Sequence, residues 1–196
     1  MCKRLEWTLL LVFLIISVVG CATLRYNVIF PEAKDFHPTR IGVFPVDVGS
    51  YTDAQGKVDD VIIAVLSEGK GIVRVVKIGT LAREKEKYTE LEKSAELYRE
   101  KLTKLNYSDP ELSREIAGLA QVDTLVMVTL DHWDYLKEGD TKIAKVGLGI
   151  KMIDPRSGQL VWEARHFVTE KYLLAKPDLL NVTKKLMKKM AAYMPK

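Results

Sequence analysis

Cysteine is nearly absent. The only two, Cys2 and Cys21, lie within the first 21 of 196 residues. The rest of the chain therefore has no internal disulfide, no thiolate nucleophile and no Cys-ligated metal. Histidine is also scarce: His37, His132 and His166 are far apart in sequence. No HExxH, CxxC or nucleophile-elbow motif occurs, and Gly69-Lys70-Gly71 lacks the frame of a phosphate loop. Asp131, His132 and Asp134 are ligand types, but on a regular strand only the last two share a face, and two ligands make a poor metal site. Neither sign of charge dominates. Thirty Lys and Arg stand among 26 Asp and Glu, for a net charge of +4, so the chain has no broad footprint for nucleic acid. The longest apolar run, residues 7–19, is short of the roughly 20 residues of a membrane span. These absences predict a protein that is not an enzyme and has no metal, no cofactor and no nucleic-acid partner.

The first residues carry an address. Lys3 and Arg4 precede the apolar run, which ends in Val18-Val19-Gly20-Cys21. A basic start, a short apolar core and a small-residue end describe a signal peptide. The last four residues resemble the lipobox of bacterial lipoproteins. That resemblance implies cleavage between Gly20 and Cys21, with lipid attached to the Cys21 thiol and amine. Several acyl chains hold a protein stably at a membrane, at about 0.8 kcal/mol per buried CH₂. Ala22 rather than Asp follows, which by analogy with enterobacterial sorting favours the outer membrane over the inner. The expected organisation is a signal peptide over 1–20, a lipidated N-terminus and short tether over 21–39, and a periplasmic domain over 40–196.

The body alternates strand and helix patterns. Residues 40–46 read as a first strand, apolar and β-branched, with Pro45 near its end. Val58, Val61, Ile62 and Val65 recur at helical spacing up to about Ser67, and residues 72–78 form a second strand. A long charged helix is expected over 81–105. Its apolar stripe of Leu81, Tyr88, Leu91, Ala95, Tyr98, Leu102 and Leu105 is narrow and heptad-like. Two readings of the stripe stand: it packs on the body, or Tyr88, Leu91, Tyr98 and Leu102 form a seam for a partner or a second copy, since tyrosine is favoured in interfaces. Asp109-Pro110 caps and starts a further helix to about Ala120. Residues 124–130 are a central strand. Residues 144–152 alternate, with Lys145, Gly147, Gly149 and Lys151 on one side. A tight turn at 154–159 leads to a returning strand at 160–169. Asp178 begins a final helix with Lys184, Lys185, Lys188 and Lys189 on one side, either a solvated face or a contact for anionic head groups. The fold class is α/β (α+β): a mixed sheet of about five strands, a C-terminal antiparallel meander and flanking helices.

Three segments carry a further resemblance: Ile41-Gly42-Val43-Phe44-Pro45; the corner from Ile116 through Asp123 to Val126; and the hairpin from Met152 through Gly158 to Trp162. They are similar to the superfamily that includes the curli-secretion channel lipoprotein, the lipoprotein activator of penicillin-binding proteins and the N-terminal domain of the Tol-system β-propeller protein. The resemblance spans roughly 40–170 and concerns fold more than function. Neither the channel's long amphipathic hairpins nor the activator's long disordered tether is present. It implies a lipid-anchored envelope protein that binds or assembles protein partners, as an oligomer in one form. The alternative is a module that binds a small ligand or lipid in envelope transport.

Overall fold

A computed structural model describes residues 24–79, 85–105 and 107–195, with side chains of 85–88 left aside. Cys21 and the rest of the expected export segment lie outside the described residues. Six strands form one mixed sheet in the order β1-β6-β5-β4-β2-β3. They are β1 (Tyr26–Ile29), β2 (Arg40–Val43), β3 (Arg74–Lys77), β4 (Thr124–Glu138), β5 (Thr141–Asp154) and β6 (Gln159–Tyr172). Four helices accompany them: α1 (Lys57–Ser67), α2 (Lys85–Leu105), α3 (Pro110–Ala120) and α4 (Leu179–Ala191). Strands β3, β2 and β4 run parallel, and β4, β5, β6 and β1 are antiparallel. This is the expected α/β class with its meander, and it has one strand more than expected.

The extra strand corrects the reading of 21–39 as a tether. Residues 24–39 are part of the domain: β1 pairs with β6, and Leu24, Ala33 and Phe36 are buried. The Trp162 indole donates to the Asn27 side-chain oxygen at 2.7 Å. The segment reads poorly in sequence because three of the four β1 residues are exposed. It is an edge strand, held by backbone pairing rather than by an apolar face.

The strand expected over 40–46 pairs regularly only to Val43, since Pro45 has no N–H to give. The chain nevertheless stays beside β4, with the Phe44 and Asp47 amides donating to the Val126 and Val128 carbonyls. Gly42 lies under close packing: a Cβ there would sit 2.8 Å from Ile78 Cδ1 and 3.1 Å from Val122 Cγ2, so those side chains would have to shift. Asp59 of α1, buried, accepts from the Val46 amide at 3.1 Å and pairs with Lys77 of β3 at 3.2 Å. It ties α1, the bend after β2 and β3 together.

The core has two parts, one on each face of the sheet. On the first face, α1 and α4 cover Ile41, Val43, Val126, Val128, Val146, Leu148, Ile150 and Trp162. On the second, α2 and α3 cover the parallel half through Phe44, Ile78, Leu91, Tyr98, Leu102, Ile116, Leu125 and Ile153. Leu91, Tyr98 and Leu102 are therefore interior residues of this chain. Tyr98 is fully buried, stacked on Phe44 with centroids 5.7 Å apart, and its hydroxyl meets Ser108 Oγ at 2.7 Å. The partner-seam reading of Leu91, Tyr98 and Leu102 is thereby corrected: α3, the Phe44 ring and the sheet already occupy the stripe. Tyr88 lies in α2, and its side chain is outside the described residues.

Candidate functional site

The site is built from what the helices leave open. Helices α2 and α3 reach Leu125, Met127, Ile153 and Leu160 on the second face. Beyond those positions the second face of β4, β5, β6 and β1 is half-exposed to exposed. It presents Thr129, Asp131, His132, Lys145, Glu163, Arg165, Phe167 and Tyr26.

Local sequence shapes this surface through two glycines and a bulge. Gly147 and Gly149, already grouped with Lys145 and Lys151 by alternation, present no side chain there. A Cβ at Gly149 would lie 2.6 Å from Thr129 Oγ1, and one at Gly147 would lie 2.8 Å from His132 Cδ2. Neighbouring side chains have moved into the space that the glycines leave. The register of β4 against β5 slips between Leu130 and His132, so Asp131 is an inserted residue. A bulge places two residues of one strand opposite one of its partner. Asp131 and His132 accordingly flank the same glycine, Gly147. The reading that Asp131 points away from His132, made for a regular strand, is corrected by this slip. No group of three or more metal-ligating side chains occurs among the described residues. Asp131 is instead committed to Arg165 at 3.1 Å.

Phe167 is the centre. The Arg25 guanidinium lies 4.2 Å from its ring centroid and the Lys145 ammonium 4.6 Å. His132 meets the ring edge-on at 6.0 Å, and His166 stacks at 6.3 Å. Cations over an aromatic face are attracted by its quadrupole, worth about 0.5–1 kcal/mol each at an exposed site. The ring is thus fixed in place, with its cations at the surface. Burial, and then Lys189 and Arg25, pull the His166 pKa below the ordinary histidine value. Of these residues the sequence indicated His132, Asp131 and the Lys145 face. It gave no signal for Phe167 and Arg165 of β6 or for Arg25 just before β1, two segments distant in sequence.

Elsewhere among the described residues there are open clefts. One of about 400 Å³ lies at the α3–β4 corner between Arg40, Arg114 and Arg156, and others of about 330 and 320 Å³ are lined by loops and helix flanks. Two of the arginines are already paired: Arg40 with Asp123 and Arg156 with Asp154. Of the lysines on α4, Lys185 pairs with Glu170, Lys188 with Glu68, and Lys189 meets His166 at 2.9 Å. Three of the four are engaged within the chain, as a solvated helix face is.

No protein-family model and no curated protein matches the chain. Solved structures do share its fold. A single-residue variant of the PelC dodecamer from Paraburkholderia phytofirmans is 16% identical with a TM-score of 0.52, over 80% of this chain and 87% of that one. Protein XCC0632 from Xanthomonas campestris is 8% identical with a TM-score of 0.51, over 80% and 83%. Protein CT253 from Chlamydia trachomatis is 9% identical with a TM-score of 0.51, over 79% and 97%.

Proposed function

We propose that this chain is a lipid-anchored envelope protein, not an enzyme, that binds protein partners through the uncovered face of its antiparallel half-sheet. A second copy of the chain is one such partner. The anchor is the lipidated Cys21, at the periplasmic side of a membrane, the outer one by the residue that follows it. The observation that carries the proposal is the Phe167 surface: a ring held between Arg25 and Lys145, beside the Asp131–Arg165 pair, on a face that no described helix covers. Aromatic residues and arginine are the types enriched at interfaces. The PelC chain that shares the fold is a dodecamer, which supports assembly as a use of this architecture. The alternative, a small-ligand or lipid-binding module, calls for a deep apolar cavity lined by strands. The clefts described are lined by loops, helix flanks and arginines.

The test is photo-crosslinking in intact cells. A benzophenone amino acid replaces Tyr26 or Phe167 on the face, or Lys188 on α4, in the lipidated protein. A discrete adduct is expected from the first two positions and not from the third. Arg165→Glu should weaken it. Equal labelling at all three positions, or none at any, rejects the face as the binding surface.

A further inference from the structure

Two leucines stand almost wholly in water. Leu173 is 88% exposed and Leu174 99%. They begin the connection from β6 to α4, and that connection is anchored at its far end. The Tyr135 hydroxyl donates to the Pro177 carbonyl at 2.7 Å, the Lys176 ammonium sits 4.6 Å from the Tyr135 ring, and Asp178 caps α4. Tyr172, at the end of β6, meets Tyr135 edge-on at 6.0 Å. The leucines are therefore presented by a built loop, and nothing among the described residues covers them.

Their surroundings have the character of a membrane interface. Tyr135 and Tyr172 flank the leucines. Lys171 and Lys176 bracket them in sequence, and the cross-strand pair Lys137 and Lys142 lies alongside, with Lys142 opposite Tyr172. Glu138 and Asp140 at the hairpin tip and Asp178 near Tyr135 offset much of this charge, while Glu170 is taken up by Lys185. Like charges directly opposite each other on a sheet are unfavourable without a counter-ion. Exposed apolar tips among tyrosines and lysines suit the boundary between acyl chains and anionic head groups.

The position of the chain's start points the same way. Tyr26 pairs with Arg165 and Ile29 with Trp162, so β1, followed back toward its first residue, runs toward the Leu173 end of β6. Tyr26 is level with Arg165, eight residues or about 26 Å from Leu173 at strand spacing, and Leu24 lies two residues before Tyr26. Two residues, Ala22 and Thr23, separate Leu24 from Cys21, and the three Cα steps span at most about 11 Å. A shared contact with one membrane therefore requires the strands to be inclined to the membrane normal.

We infer that the Leu173-Leu174 loop is a second membrane contact, inserting into the same anionic lipid surface that holds the Cys21 lipid and so fixing the orientation of the domain. This rests on the proposed lipidation of Cys21. The test uses the mature lipoprotein in vesicles of equal parts phosphatidylethanolamine and phosphatidylglycerol. Because Cys21 is acylated, a nitroxide label goes only to an introduced thiol: Leu174→Cys at the loop, or Ser157→Cys at the opposite end of β6. The label at 174 is expected to relax faster with oxygen than with a water-soluble nickel chelate, and the label at 157 to do the reverse. Lys171→Glu with Lys176→Glu should make the 174 label shallower. A label at 174 as aqueous as that at 157, on protein that floats with the vesicles, overturns the loop contact alone. A purified chain that carries no lipid and does not float overturns the anchor and the contact together.

Discussion

Asp123 shows how one side chain can hold a corner of the fold. Burial by itself pushes its pKa up. Hydrogen bonds from Thr39, from the Arg40 amide and from Thr124 outweigh that and hold the carboxyl below the ordinary value. A depressed carboxylate contributes fully above its unfolded pKa of about 3.9, and the contribution is lost as the pH falls through the folded value. Asp123→Asn is expected to flatten the stability profile below about pH 4 and to cost about 1–3 kcal/mol at neutral pH, read by denaturant unfolding. His166 acts in a separate window. Its depressed pKa means that the unfolded chain takes up a proton first, so stability falls as the pH drops below about 6.5 toward the folded value. His166→Gln should remove that slope while leaving the acid limb. Tyr98 belongs to the interior, so Tyr98→Asp would report on folding and not on assembly. Tyr98→Phe, which loses only the hydroxyl contact to Ser108, is expected to cost about 1 kcal/mol in chemical denaturation.

Elements in this protein dock through tight backbone contacts. The β5–β6 hairpin turns at Gly158, whose φ of +72° favours glycine, and it abuts the start of α3. A Cβ at Gly158 would lie 2.8 Å from Pro110 Cα, a backbone atom, while Ser113 donates to the Pro155 carbonyl at 3.0 Å. Gly158→Ala combines a strained backbone with a clash against another element. A loss of about 1–3 kcal/mol is expected, read as a lower thermal midpoint. The uncovered face behaves differently, because its contacts are side chains. Gly149→Ala should destabilise by overlap with Thr129 Oγ1, and adding Thr129→Ala should restore much of the loss. Comparable stability of the single and double variants would show that Thr129 is not the obstacle.

At the scale of the molecule, one face of the sheet is packed under α1 and α4, and the other is packed over its parallel half and the adjoining ends of β5 and β6. The Leu173-Leu174 loop follows the end of β6 toward which β1 points when traced back to Tyr26, and membrane contact at that end would leave the Phe167 face standing beside the membrane and accessible to neighbours. Cys21→Ser is expected to abolish incorporation of labelled palmitate and to leave the export segment uncleaved. Continued labelling of that variant would reject the anchor. Wild-type and Phe167→Glu chains should differ in native mass spectra if a second copy binds the uncovered face.

Much of this was settled locally by the residues themselves. The 3.6-residue spacing of Val58, Ile62 and Val65, the Asp109-Pro110 start and the strict alternation over 144–152 each declare an element, because periodicity and capping depend on neighbours in the chain. The turn before Trp162 was legible from its own Asp-Pro and Ser-Gly residues, and the Asp123 corner through its resemblance to a known superfamily. Tertiary contact decided what local pattern leaves undetermined. The stripe of Leu91, Tyr98 and Leu102 has the same spacing whether it meets α3 or a partner; the position of Phe44 and α3 chose the interior. Residues 26–29 became a strand only because the edge of β6 was free to pair with them, and one inserted residue at Asp131 reversed the facing that alternation assigns. Burial and register belong to pairs of segments distant in sequence, so no single stretch of the chain contains them.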